Sequence, residues 1–355
     1  MLLKSISYLS SVAAAATCVA VSATTLPDLP EPVSNNAVAS TTVRGKTYIA
    51  SFMGLGPGKQ HNDMHNKVWM HTVGEFGWQN LPAVPSTQKL SGRVAASAVA
   101  LNNNFFVFGG FTANADGSEQ TANDSYRLDP VTRRYTKLND MPVPVDDAVA
   151  LTYQNRYIYL VSGWSDHGNV NLVQVFDNFT QRWSQATPFP GKPVFGLAGA
   201  MAGNQMLICD GVTLEYFADK KREYKSEPAC YLGTVGSNAN QIDWRLIDHP
   251  TGTAKYRMAG INSRVDGKDM LVFIGGSTNP YNYNGIGYNG AASEPDSKVW
   301  LFSPAEKRWF KAADTTAVMD LRSLVEIDGE IYSVGGMTSG QQVSSKLIKH
   351  PIKLQ

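Results

Sequence analysis

Short apolar runs that end in a glycine pair recur along the chain. The clearest copies occupy residues 105–110, 271–276 and 331–336, and degenerate copies occupy 48–54, 157–163 and 206–211. Short apolar runs bounded by glycine are typical of buried strands rather than helices. Their recurrence at a spacing of roughly 50 to 65 residues is the signature of a repeat architecture.

A second signature follows several of these runs and consists of an aromatic strand, a turn and another aromatic residue. The pairs are Tyr126 with Tyr135, Phe176 with Trp183 and Trp300 with Trp309. This order predicts a four-stranded antiparallel sheet in each repeat, with the glycine pair making a sharp turn. The outer aromatic side chains are then expected to fill the wedge between neighbouring sheets.

Together the two signatures resemble the kelch motif, and six copies predict an all-β fold, a six-bladed kelch-type β-propeller. After Gly336 the sequence offers one more strand, at about residues 343–352, so the last blade needs a strand from elsewhere. Residues 26–33 contain three prolines, which suit an edge strand because proline lacks the donor for a central ladder. We therefore expect the ring to close by pairing of N-terminal and C-terminal strands.

The N-terminal residues read as a targeting segment. Lys4 precedes a stretch of apolar and small residues that ends in Val21-Ser22-Ala23, the pattern of a signal-peptidase site. We expect residues 1–23 to be a signal peptide, residues 24–355 to be one propeller domain, and the protein to be periplasmic or secreted. No later segment is long and apolar enough for a membrane span.

Charge and cysteine content restrict the possible partners and cofactors of the protein. The 31 basic and 30 acidic side chains give a net charge of +1, which argues against a nucleic-acid partner. Cys209 and Cys230 allow either one disulfide or two buried thiols. His61 and His65 lie in a glycine-rich stretch without the spacing of a metal site, so we expect no metal and no other cofactor.

In an antiparallel blade, the loop after the glycine pair and the segment entering the innermost strand emerge on the same face. Aromatic rings beside amides and carboxylates suit a sugar, and arginine offers a planar fork for a carboxylate. These segments therefore predict a pocket for a small, acidic sugar at one mouth of the channel. The expected substrate-binding residues are Arg93, Trp164, Asp166, His167, Asn169, Phe195, Tyr256, Arg257, Tyr281, Tyr283 and Arg322.

The chain resembles the bacterial N-acetylneuraminate epimerase, or sialic acid mutarotase, family. The likeness lies in the segment Leu26-Pro27-Asp28-Leu29-Pro30, in residues 126–130 and in the six-blade count. The family carries a glutamate and, six residues later, an arginine after its fourth-blade strand. Here that stretch begins Cys209-Asp210-Gly211, and Asp210 is the nearest carboxylate.

The resemblance implies an exported epimerase or mutarotase that acts by general acid–base catalysis. Asp146, Asp147 and Asp210 are the expected catalytic carboxylates, and Arg93, Arg257 and Arg322 are expected to hold a substrate carboxylate. One alternative is a non-catalytic propeller that binds a glycan or a protein partner. A second alternative is a copper enzyme like the galactose oxidases, which also carry kelch repeats.

Overall fold

The computed structural model describes residues 26–166, 168–218 and 222–355. Six antiparallel sheets follow one another in chain order, and in each the strands run from the innermost outward. The innermost strand of the first sheet packs against those of the second and the sixth, which closes a ring. The predicted six-bladed all-β propeller is confirmed.

Five blades have four strands each, and the sixth has three strands among the described residues. Blade 1 contains Ala37–Val43, Lys46–Leu55, Met64–Thr72 and Gln79–Leu81. Blade 2 contains Ser97–Leu101, Asn104–Phe108, Ser125–Asp129 and Arg134–Lys137. Blade 3 contains Val149–Tyr153, Tyr157–Val161, Val173–Asp177 and Arg182–Gln185.

Blade 4 contains Ala198–Ala202, Gln205–Cys209, Cys230–Val235 and Ile242–Ile247. Blade 5 contains Ala259–Val265, Lys268–Ile274, Val299–Ser303 and Arg308–Lys311. Blade 6 contains Val325–Ile327, Glu330–Val334 and Leu347–His350. Two short 3-10 helices occupy His61–Asp63 and Ser339–Gln341.

Short hairpins rise above the glycine pairs of four blades. They pair Phe111–Ala113 with Glu119–Thr121, Trp164–Ser165 with Gly168–Asn169, Val212–Glu215 with Glu223–Ser226, and Met337–Thr338 with Gln342–Val343. In the described ranges, no helix is long and apolar enough to cross a membrane.

The glycine pairs are required because the next blade passes close to them. Gly109 has a positive φ of 62°, and a Cβ there would lie 2.2 Å from the carbonyl oxygen of Val145. At Gly335, of φ 72°, a Cβ would lie 2.4 Å from the carbonyl oxygen of Val33. Each glycine therefore leaves room for the segment that leads into the innermost strand of the following blade.

The outer aromatic residues join neighbouring blades, as predicted. The ring of Trp183 in blade 3 packs edge-on against Phe108 in blade 2, with 5.7 Å between ring centroids. Its indole nitrogen donates to the carbonyl of Asn139, which follows the outer strand of blade 2. Trp309 of blade 5 donates in the same way to Asp248, after the outer strand of blade 4.

Blade 4 carries a covalent link between two adjacent strands. Cys209 and Cys230 are directly opposed in the sheet and form a disulfide bond. Both cysteines are fully buried. The structure thus contains the disulfide alternative of the two that the sequence left open.

The N-terminal segment closes the ring by main-chain contacts with the chain that leads into the last strand. Leu29 donates its N–H to the carbonyl of Ser345, and Val33 donates to Ser344. Residues 26–33 themselves form no regular strand, in contrast to the expected edge strand. Trp78 donates to the carbonyl of Pro27 as Trp183 donates to Asn139, so this segment corresponds to the connection between two blades.

The expected signal peptide, residues 1–23, lies outside the described residues. A third main-chain hydrogen bond runs from the N–H of Gly336 to the carbonyl of Val33, and the Asp28 carboxylate accepts from Lys346 and from the Leu347 backbone. Leu29 and Val33 are 4% and 1% exposed and pack in the core.

Deleting the chain through Val33 is expected to lower the thermal unfolding midpoint by roughly 5 °C, because two buried aliphatic side chains and their hydrogen bonds are lost. A deletion through Thr25 is the control and should leave the midpoint where it is in the intact chain. Differential scanning calorimetry of both proteins makes the measurement. Equal midpoints for the two deletions would show that this segment does not hold the ring.

Candidate functional site

A ring of main-chain hydrogen bonds surrounds the propeller axis where the chain enters each innermost strand. One residue per blade has a positive φ, between 49° and 63°, and hydrogen bonds join its backbone to the same position in the neighbouring blade. In blade 6 the N–H that donates to the carbonyl of Arg257 belongs to Leu321, the residue after the ring residue Asp320. The ring residues are Asn35, Ala95, Asp147, Gly196, Arg257 and Asp320.

Three of these ring residues carry charged side chains that meet on the axis. The guanidinium of Arg257 donates from Nη2 to Asp147 at 2.7 Å and from Nη1 to Asp320 at 2.8 Å. Arg322 forms a further ion pair with the other carboxylate oxygen of Asp147. All four side chains are buried, so the charges form a chain in the order Arg322, Asp147, Arg257, Asp320.

Aromatic side chains hold Arg257 in place. The guanidinium carbon lies 4.9 Å from the ring centroid of Tyr256 and 5.5 Å from that of Tyr281. Burial lowers the pKa of Arg257, but the neighbouring Tyr256 and Asp320 more than offset this effect and leave its pKa above the ordinary value. The group therefore stays charged, and its two carboxylate partners already occupy the fork.

Above this ring lies a cavity of about 130 Å³ at the mouth of the channel. A second cavity of about 240 Å³ adjoins it, and both are lined by Glu119, Trp164 and Arg222. The first cavity is lined by Phe111, Glu119, Asp146, Asp147, Trp164, Phe195, Arg222, Tyr224, Arg257, Asn282 and Tyr288. We call the two together the axial cavity.

One wall of the axial cavity is aromatic. The rings of Tyr224 and Tyr288 are stacked with centroids 3.8 Å apart and planes inclined by 7°. Phe195 packs edge-on against Trp164 at 5.6 Å. Arg222 lies over this wall, 5.2 Å from the ring centroid of Trp164, and it has no carboxylate ion pair among the described residues. Arg222 is therefore the exposed cation of the cavity.

Two carboxyl groups that line the axial cavity, Asp146 and Glu119, have raised pKa values. Burial raises the pKa of Asp146 to about 8, against a 2.9 Å hydrogen bond from the Thr121 hydroxyl. Burial also raises the pKa of Glu119, and the guanidinium groups of Arg222 and Arg257 oppose the rise. At neutral pH Asp146 is mostly protonated and can give a proton, while an ionised Glu119 can take one.

Seven of the predicted site residues surround this cavity or support it. Asp146, Asp147, Trp164, Phe195 and Arg257 line it, Asp166 lines the adjoining part, and Tyr256 packs beneath Phe195 with ring centroids 5.5 Å apart. Tyr281 hydrogen-bonds to Asp320 under Arg257. Arg322 lies lower, on Asp147, and half-buried Tyr283 packs against the hydrophobic residues around Tyr281. His167 lies outside the described residues.

The expectation that Arg93 points to the channel mouth is wrong. Its side chain is buried between blades and donates to Asn66 and to the carbonyls of Val84 and Pro85. The residue that corresponds to Asp146 is Val94, because the turn between the first two strands is one residue shorter in blade 2. A slip of one residue points a side chain to the other side of the chain.

The expected roles of Asp210 and Asn169 also differ from their positions. Asp210 lies at the first position of the glycine pair of blade 4 and accepts hydrogen bonds from His249 and from the backbone of Lys255. It connects blade 4 to blade 5 and does not line the axial cavity. Asn169 lines a separate groove of about 320 Å³, which has no charged residue among its described lining residues.

Sequence reasoning left Glu119, Arg222, Tyr224 and Tyr288 out of the predicted set. Glu119 and Tyr224 lie on the second strands of the short hairpins above blades 2 and 4, and Arg222 directly precedes one of these strands. The glycine pairs in the sequence indicate where each hairpin begins. Only the pairing of the two hairpin strands in the structure shows which residues of the second strand lie beside the axial cavity. Tyr288 reaches the cavity from the long loop of blade 5.

The described residues contain one group of three metal-ligating side chains, Asp210, Cys230 and His249. Cys230 is bound in the disulfide, which removes its thiolate as a ligand. His61 lies in the exposed 3-10 helix after blade 1's second strand, and both ring nitrogens of His65 are buried without a hydrogen-bond partner in the described chain.

The fold and its repeated glycine pairs define a kelch propeller, and the comparisons agree. The model of the KLHDC2/KLHL20/DRC7 Kelch-repeats domain matches residues 37–276, and the chain belongs to this family. A solved structure described as "Structure of YjhT" superposes with a TM-score of 0.70 at 17% identity, covering 93% of this chain and 99% of that one.

Two kinds of curated relative are similar in sequence. N-acetylneuraminate epimerase of Pasteurella multocida is 24% identical, and the alignment covers 92% of each chain. Kelch-like protein 15 of Gallus gallus is 28% identical over 43% of this chain. The alignments cover between 22% and 30% of the length of the Kelch-like protein 15 relatives.

Replacing Arg257 with Met is expected to lower the free energy of unfolding by about 3 to 5 kcal/mol, because Asp147 and Asp320 lose their shared buried cation. The matched control is Arg308→Met on an outer strand, where the arginine is exposed and paired with Glu306. Urea unfolding at pH 7 makes the comparison. Similar losses of unfolding free energy in the two variants would contradict the stabilising role assigned to Arg257.

Proposed function

We propose that the protein binds an acidic sugar of the N-acetylneuraminate type in the axial cavity and interconverts its anomers. The observation that carries this proposal is that two carboxyl groups with raised pKa values, Asp146 and Glu119, line the same cavity as an aromatic wall and Arg222, which has no carboxylate ion pair among the described residues. The distant similarity to N-acetylneuraminate epimerase over 92% of the chain supports the substrate class.

Binding uses the aromatic wall and Arg222. The faces of Trp164 and Tyr224 offer apolar surface for the sugar ring. Arg222 supplies a planar fork for the sugar carboxylate. Arg257 does not take this role because two carboxylates already hold it, and Arg322 does not because it lies lower and does not line the axial cavity. The axial cavity comprises adjoining spaces of about 130 and 240 Å³, which only together reach the lower end of the size range of a small-molecule site.

Catalysis needs one proton acceptor and one proton donor. Ionised Glu119 takes the proton of the anomeric hydroxyl, the bond from the anomeric carbon to the ring oxygen breaks, and the ring oxygen receives the proton of Asp146. The open-chain carbonyl then turns and the same steps run in reverse, which closes the ring on the other face. No metal or redox partner enters this scheme.

Export is part of the proposal. Residues 1–23 carry the pattern of a signal peptide. The disulfide between Cys209 and Cys230 supports an oxidising compartment, since such bonds are rare in reducing ones.

A second candidate is a non-catalytic binding propeller. The similarity to Kelch-like protein 15 and the absence of the epimerase family's glutamate and arginine after Cys209 favour it. The two candidates differ in one observable, because a binding module holds the sugar without accelerating anomer exchange.

Exchange NMR of N-acetylneuraminate at equilibrium tests catalysis. Glu119→Gln is expected to lower the enzyme-catalysed exchange rate by about 100-fold, because the base is lost. In the unaltered protein the rate should fall as pH rises through about 8, where Asp146 loses its proton. Glu75→Gln, on the surface, is the control. Binding without exchange by the unaltered protein would assign it to the non-catalytic class.

Calorimetric titration tests the role of Arg222. Arg222→Met is expected to weaken binding of N-acetylneuraminate and of a uronic acid by roughly ten- to a hundredfold and to leave galactose binding unaltered, because only acidic sugars use the fork. Arg245→Met, exposed on the outer strand of blade 4, is the control. Equal affinity of the unaltered protein for all three sugars would contradict the acidic-sugar proposal.

A further inference from the structure

Below the ring of hydrogen bonds, the propeller axis contains a second, smaller cavity. Its volume is about 50 Å³, and the innermost strands of blades 2 to 5 and the entry to blade 6 line it. Most lining residues are small or aliphatic. Among the described residues that line this cavity, only Arg322 is charged. We call this space the channel cavity.

Arg322 is buried but only partly paired. Its side chain is 6% exposed, and its Nη1 atom forms the ion pair with Asp147. The remaining donors, Nε and Nη2, are buried and have no hydrogen-bond partner among the described residues. Buried guanidinium donors are normally satisfied, since an unpaired buried polar group costs free energy.

The carboxylates near Arg322 leave two of its three nitrogens without a partner. Asp147 pairs with Nη1 and is shared with Arg257, which itself holds Asp320. Asp146 also acts on Arg322, but burial raises the pKa of Asp146 to about 8, so it is mostly uncharged at neutral pH. Burial also lowers the pKa of Arg322 to about 9. The two arginines and two aspartates on the axis balance in charge, and what Arg322 lacks in the described chain is a partner for Nε and Nη2.

We propose that the channel cavity binds a small monovalent anion, of the size of chloride, on Nε and Nη2 of Arg322. A volume of about 50 Å³ has room for a few groups of the size of water, which suits a small inorganic anion better than a sugar. The anion completes the chain of alternating charges that begins at Asp320. This site is separate from the axial cavity and does not depend on the function proposed for it.

Halide crystallography tests the position. Crystals of the unaltered protein soaked in sodium bromide should give an anomalous peak beside Nε and Nη2 of Arg322. A peak elsewhere only, or density at this place that fits water and carries no anomalous signal, would overturn the proposal. This measurement needs no variant.

Thermal unfolding in sodium gluconate buffers of constant ionic strength tests the energetics. Replacing gluconate by chloride up to 100 mM should raise the midpoint by roughly 2 °C, since an ion bound only by the folded state stabilises it. Sulfate is the control for general salt effects and should not reproduce the saturable rise. A midpoint that is insensitive to chloride would contradict the site.

Two variants connect the shift to Arg322. Arg322→Met removes the donors, and Arg322→Lys keeps a charge with a single nitrogen for Asp147, so both should lose the chloride-dependent rise. Arg264→Met, whose side chain is 75% exposed, should keep it. A full chloride response in Arg322→Lys would exclude Arg322 as the ligand.

Discussion

The ring of main-chain hydrogen bonds around the axis is the constraint on which the rest of the molecule depends. Each blade contributes one residue with a positive φ, and the backbone there pairs with the same position in the next blade. Gly196 adopts this conformation freely, and asparagine and aspartate tolerate it, but Ala95 and Arg257 do so at a cost in backbone energy. Closure of the ring offsets that cost.

The same ring explains why charge collects on the axis. A residue in the ring directs its side chain toward the centre, and the residue before it pairs with the hairpin above the blade. The chain therefore brings Asp147, Arg257 and Asp320 to the axis and Asp146 and Tyr256 to the layer above. The buried ion pairs with Asp147 and Asp320 leave Arg257 unavailable to a ligand. Asp146 is buried as well, and its burial raises its pKa. Recognition and catalysis are then assigned to groups on the hairpins, above all Glu119 and Arg222.

The fold was predictable because its signal is repeated. Glycine pairs or their degenerate copies mark the end of the second strand of each blade, and outer aromatic pairs mark blades 2, 3 and 5, where the structure contains them. The axial site was predictable only in part. Asp146, Trp164 and Phe195 could be predicted from their positions relative to the repeated glycine motifs. Arg93 was predicted wrongly because the turn between the first two strands of blade 2 is one residue shorter than that of blade 3. Glu119 and Arg222 depend on how each hairpin pairs, and Asp210 depends on contacts between blades, neither of which has a repeated pattern in the chain.

The central claim is that the axial cavity is the place where an acidic sugar is held for proton transfer. A crystal structure of the protein soaked with N-acetylneuraminate tests this most directly. The account predicts the sugar carboxylate on Arg222, the anomeric hydroxyl within hydrogen-bond distance of Glu119, and the ring oxygen facing Asp146. Sugar density confined to the groove beside Asn169, with the axial cavity filled by water alone, would contradict it.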